Sequence, residues 1–136
     1  MKYFYDWNEE KKFDLAPHYS SALGSVIQGE RLFVALYNKK RGTGARMHRH
    51  SNEQFIYVLQ GNVKARVEDQ EQIVPPGSVI YIPANAAHSM VATGDEDVVY
   101  YVSKDMGPIA GIPLDGKDTG PHYEPGFEPQ SKGEER

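Results

Sequence analysis

The chain contains no cysteine. That removes disulfides, thiolate nucleophiles and thiolate metal ligands from consideration. It has no apolar run long enough to span a membrane. The opening residues, Met-Lys-Tyr-Phe-Tyr-Asp-Trp, mix aromatic and charged types and do not read as a signal peptide. These two absences lead to the expectation of a cytoplasmic protein with no membrane partner. Runs of Lys and Arg that would track a phosphate backbone are missing, and the formal net charge is −4, so no nucleic-acid partner is expected. The small basic clusters Lys11-Lys12 and Lys39-Lys40-Arg41 read as solvated turns. Helical periodicity and internal repeats are absent as well.

What remains is a succession of short strands. A length of 136 residues fits one domain. Strands are expected over 25–28, 31–38, 46–50, 54–60, 63–68, 71–74, 78–82, 88–93 and 98–103. Gly, Pro, Asn and acidic residues punctuate them as turns. The strand over 54–60 is apolar on both faces, as expected for a strand covered on both sides. Regular short strands with polar turns predict an all-β barrel or sandwich over residues 21–104. Residues 1–20 carry Tyr3, Phe4, Tyr5, Trp7, Phe13 and Tyr19 among many charges. They read as an arm packed on its own barrel or on a second subunit. Residues 105–136 are rich in Gly and Pro and read as an extended tail: a lid, a surface strap or a frayed end, with 130–136 disordered.

Two of the five histidines, His48 and His50, are two apart. On a strand that spacing places both imidazoles on one face. His88 follows a later strand, Ser78 to Ile82, and a tight turn at Pro83-Ala84-Asn85. Neutral imidazole suits a divalent transition metal, so these three residues are the candidate ligands. Position 54 shares parity with His48 and His50, which favours Gln54 over the adjacent Glu53 as a fourth ligand. Arg46 shares that parity too and is a candidate to pair with a substrate carboxylate, its alternative being a rim salt bridge. Tyr37, Tyr57, Tyr81, Tyr100 and Tyr101 lie on strands, and some must face inward. A tyrosine beside a metal can donate a proton, and Tyr100 is the one nominated. Met90 shares parity with His88 and is expected to wall the same pocket.

The spacing Gly42, five residues, His48-x-His50, three residues, Gln54, six residues, Gly61 resembles the first cupin motif. Gly77, five residues, Pro83, Ala84, Asn85, two residues, His88 resembles the second. Together they cover roughly residues 42 to 92. The resemblance implies a cupin double-stranded β-helix with a metal bound inside by three His and usually one Glu. Three positions depart from the pattern: Gln54 stands at the Glu position, Asn85 at a Gly position and Ala92 at an Asn position. Gln54 leaves the ion's charge uncompensated, which favours an anionic substrate or hydroxide. The pattern His-x-His-x-x-Glu-Gln is similar to that of KdgF-like cupins, which convert unsaturated uronates to linear ketouronates. Their acidic and basic substrate residues have no convincing match in Val99 to Asp105.

The resemblance therefore implies a small metalloenzyme in which iron, nickel, zinc or manganese chelates an oxygenated or carboxylate substrate. Isomerase, lyase or ketouronate-type chemistry is one expectation. An iron-dependent dioxygenase of a dicarbonyl or catechol-like substrate is another, and a non-catalytic ligand-binding barrel is a third. The aromatic arm and family habit lead to the expectation of a homodimer.

Overall fold

The structure, a computed structural model, describes residues 1–129. The expectation of disorder over 130–136 lies outside them. Alternating apolar and polar residues put one face of each strand inward, and the structure closes these faces into an all-β barrel. After a single 3-10 turn at Trp7–Glu9 come β1 (Phe13–Asp14), β2 (Leu23–Gln28), β3 (Leu32–Lys39), β4 (Thr43–Gly44), β5 (His48–Arg49), β6 (Gln54–Gln60) and β7 (Asn62–Val67). They are followed by β8 (Gln70–Val74), β9 (Val79–Ile82), β10 (His88–Thr93), β11 (Val98–Asp105), β12 (Ile112–Pro113) and β13 (His122–Tyr123). One sheet has the order β1-β2-β3-β11-β6-β9. The other runs β12-β5-β10-β4-β13, with β7 pairing both β10 and β8. Every pairing is antiparallel.

The core sits between the two sheets. Ala35 and Tyr37 of β3, Ile56 and Val58 of β6, and Tyr100 and Val102 of β11 meet there. Burying each large apolar side chain stabilises the fold by about 1.5–3 kcal/mol. The outer face of β6 differs from the expectation of a strand covered on both sides. Phe55 is 51% exposed, Tyr57 44% and Leu59 47%; the Trp7 ring of the 3-10 turn meets the neighbouring Tyr101 of β11 edge-on at 6.4 Å and leaves them open.

The barrel's first motif reaches its second through the turn after β9. Asn85 adopts φ 63°, a left-handed conformation that Asn tolerates better than most residues. Its N–H donates to the His50 carbonyl at 2.8 Å. The turn that delivers His88 is thereby tied to the segment that carries the first two imidazoles.

The tail continues the fold. Pairing of β12 with β5 and of β13 with β4 extends the second sheet along residues 112–123. The Phe127 ring fills the space that a side chain on Gly42 would need, and Gly42 sits at φ 76°. At the other end, Ala16 and Tyr19 pack with Ala45 in a small second cluster. Tyr3 and Phe4 are 74% and 88% exposed. No helix among the described residues is long and apolar enough to cross a membrane.

Candidate metal centre

His48 and His88 are Cα partners on β5 and β10. That pairing brings the first motif's imidazoles against the second's. The ring centroids of His48 and His88 are 4.3 Å apart, and those of His50 and His88 are 4.6 Å apart. One ligand atom from each of His48, His50 and His88 lies within 4.8 Å of the others. All three rings are buried.

Each ring is held the same way. His48 Nδ1 lies 2.7 Å from the Arg46 carbonyl, His50 Nδ1 3.0 Å from that of Asn52, and His88 Nδ1 2.8 Å from that of Ala86. A carbonyl can only accept, so each Nδ1 carries the proton and each Nε2 keeps a free lone pair. Burial lowers all three affinities for a second proton. His88 falls to about 3 and His50 to about 4, while His48 lies well below its ordinary value, with the neighbouring His88 adding to the effect. The rings are neutral donors at neutral pH.

Gln54 completes the arrangement. It is buried, and its amide Nε2 lies 3.2 Å from His50 Nε2 and 3.4 Å from His88 Nε2. Glu53 points outward, where its Oε2 accepts from the Tyr81 hydroxyl at 2.6 Å. Three converging neutral imidazoles form a donor set that fits a divalent transition metal, and the Gln54 amide lies beside them with its N–H side toward two of their Nε2 atoms.

The wall around the imidazoles is partly the one expected. Tyr100 and Met90 line the cavity, and so does Tyr37. Tyr57 and Tyr81 are exposed on the outer face. Arg46 stands elsewhere. Its guanidinium donates to the carbonyls of Gly120 at 2.8 Å, His18 at 3.0 Å and Lys117 at 2.7 Å. It also pairs with Asp115 at 2.8 Å. Arg46 thus follows its alternative reading, a rim salt bridge, and does not line the cavity; residues 45–47 are not strand, so two-residue alternation does not carry back from His48.

The largest departure from the expected site is Lys39. It does not lie in a solvated turn but is 4% exposed and lines the cavity, as does Lys104 at 5%. Burial pushes the Lys39 ammonium down to about 7, with the charge of Lys104 adding to the effect. Burial likewise lowers Lys104, to about 8. Extending the two-residue period would have found both. Lys39 continues the buried series Phe33, Ala35, Tyr37, and Lys104 continues Val98, Tyr100, Val102. Tyr19 also reaches the site, with its ring centroid 4.2 Å from that of His48. Its hydroxyl accepts the Gly111 N–H at 2.7 Å. Only about 40 Å³ is open inside, and Ile109 of the tail closes part of the wall.

Comparison with known proteins agrees with this geometry. Over 72 residues the chain is 40% identical to mannose-1-phosphate guanylyltransferase 2 of Escherichia coli O157:H7, covering 52% of this chain and 15% of that protein. Over 63 residues it is 32% identical to 5-nitrosalicylic acid 1,2-dioxygenase of a Bradyrhizobium species, covering 46% of this chain and 30% of that protein. The chain thus spans under a third of either curated relative's length. Among solved structures, KdgF from a Halomonas species superimposes with a TM-score of 0.66 at 20% identity, over 79% of this chain and 96% of that one. The cupin domain profile (Cupin_2) matches residues 35–104, the span from the middle of β3 to Lys104 that holds all three imidazoles. With both motifs joined across β5 and β10 in an antiparallel barrel, the chain belongs to the cupin domain family.

Proposed function

We propose that the protein is a small metal-dependent enzyme. His48, His50, His88 and Gln54 would hold a divalent transition-metal ion, and a small oxygenated or carboxylate substrate would meet it inside the barrel. The observation that carries this reading is the neutral donor set: three buried imidazoles with their Nε2 lone pairs converging beside one amide. Such a set leaves the ion's charge uncompensated, and a bound ion would supply Lewis acidity. That favours isomerase-, lyase- or ketouronate-type chemistry on an oxygen-rich acid. Burial holds the Tyr100 phenol protonated far above neutral pH, which suits it to hydrogen-bond or protonate a substrate oxygen.

A second reading is an iron-dependent dioxygenase. It is favoured by the 32% identity to the 5-nitrosalicylic acid dioxygenase across 63 residues. Elemental analysis of protein purified without a metal-binding tag, then oxygen uptake after iron reconstitution, separates the two. Zinc, nickel or manganese with no uptake supports the first reading. Iron with uptake on catechol-like or dicarbonyl acids supports the second. Protein that refuses every metal overturns both. His88→Ala is expected to abolish stoichiometric metal, and unchanged metal content after dialysis would contradict the ligand assignment.

A further inference from the structure

Two ammonium groups inside a barrel are costly unless something compensates them. Lys39 closes the inward row of β3, where it is the Cα partner of Val98, and Lys104 stands opposite Phe33 at the far end of the same ladder. The two lysines therefore approach the imidazoles from opposite ends of one strand pair. Each ammonium offers three donors. Lys39 Nζ reaches the Met90 carbonyl at 3.3 Å, and Lys104 Nζ reaches the Ile109 carbonyl at 3.3 Å. Neither lysine is among the ion pairs of the described residues. No Asp or Glu lines the cavity. Asp105, the nearest acid in sequence, is turned outward, where its Oδ1 accepts from the Glu53 N–H at 2.6 Å.

A third unsatisfied group faces the same space. Tyr37, 3% exposed and lining the cavity, has a buried hydroxyl with no hydrogen-bond partner. An orphan hydroxyl and two ammonium groups with one carbonyl acceptor each give this small cavity more donors than acceptors.

We infer that Lys39, Lys104 and Tyr37 form an anion subsite that selects a substrate bearing a carboxylate apart from the oxygens that reach the ion. This deepens the proposed function and rests on it for the reaction. It does not rest on it for binding, because the lysines attract an anion with or without a metal. At neutral pH Lys104, at about 8, is mostly charged and Lys39, at about 7, about half so. An anion beside them favours the charged form of both, and a neutral substrate of the same shape supplies no such partner. The open space of about 40 Å³ is far smaller than the usual small-molecule pocket, about 300 Å³ or more. An acid entering it would displace part of the wall, which includes Ile109 of the tail.

The test is calorimetric titration with malonate and with its uncharged isostere malonamide, on the zinc-loaded and the metal-free protein. Malonate is expected to bind at least tenfold more tightly than malonamide. Lys39→Met and Lys104→Met should each lose at least tenfold in malonate affinity while metal content stays at the wild-type level. Tyr37→Phe should lose affinity by a smaller factor. Replacing a poorly paired buried charge by an apolar chain of similar length favours folding. Lys39→Arg and Lys104→Arg, which keep the charge, give a second set should the Met variants misfold. Equal binding of malonate and malonamide, no malonate binding to the wild type, or wild-type affinity in both Met variants would overturn the subsite. Lysine-dependent malonate binding by a protein that retains no metal would keep the subsite and discard the metalloenzyme.

Discussion

Gln54 and Lys104 are direct cross-strand partners on β6 and β11, and both are buried. A glutamate at position 54 would stand opposite an ammonium inside the barrel. Gln54→Glu is therefore expected to act twice. It adds a negative charge to the donor set, so the metal should be retained longer against a chelator such as EDTA. It also offers Lys104 an internal counter-ion, so malonate should lose several-fold in affinity. Weaker metal retention in the variant would argue against Gln54 as a ligand.

Acid should unfold the barrel through its imidazoles. Above pH 6.5, the ordinary histidine value, the rings are neutral in both states and their contribution is complete. As pH falls from 6.5 toward about 4 for His50 and about 3 for His88, the unfolded chain takes up protons that the folded one refuses. Stability is lost across that window. The loss for His50 alone is on the order of 3 kcal/mol. Urea midpoints of the metal-free protein at pH 7 and pH 4 measure it, and equal midpoints would contradict the neutral, buried assignment.

Arg46 fastens the tail. Its guanidinium holds the backbone at Lys117 and Gly120 and the Asp115 carboxylate, besides His18. Arg46→Leu is expected to raise amide exchange across residues 111–120 by tenfold or more. Exchange within β3, β6 and β11 should change little. Hydrogen bonds to charged groups contribute about 1.5–3 kcal/mol each, and half-exposed Asp115 contributes least. Unchanged exchange across the tail would show that the short ladders of β12 and β13 hold it unaided.

The three-histidine cluster was legible in the sequence because a candidate pair two apart needs only one regular strand face. Glycine and proline punctuation then set where His88 returns. Tyr100, nominated from its strand, does reach the cavity wall, and alternation placed Met90 there as well. Arg46 took the second of its two readings, the rim salt bridge, because the chain leaves the strand before His48. The lysines were missed for a different reason. Lys39 stands beside Lys40 and Arg41, and a basic triplet reads as solvent-facing even when its first member closes an inward row. Burial of an unpaired charge is a tertiary fact, made possible by the barrel's closure over it. A surface strap was among the readings of residues 105–123, but its pairings of β12 with β5 and β13 with β4 were not foreseen, since two-residue ladders leave no periodic trace.

The outer face of β6 and β9 predicts association. Phe55, Tyr57, Leu59, Val79 and Tyr81 are all at least 44% exposed, and a contiguous apolar patch of this kind marks an interface. Sedimentation is expected to give the mass of two chains. A mass near 15.3 kDa would refute the dimer, and Tyr57→Lys should shift the equilibrium toward it.

The bond from Lys104 Nζ to the Ile109 carbonyl makes ligand capture and doorway release two sides of one linkage. An acid that competes for that donor would weaken the hold at Ile109, beside the bonds that Asn52 makes to the Pro108 carbonyl and Gly111 to the Tyr19 hydroxyl. By reciprocity, whatever loosens the strap raises affinity for the acid by the same factor. Metal exchange should then run faster when the acid is present than when it is absent, because the guest that occupies the chamber also unlatches it.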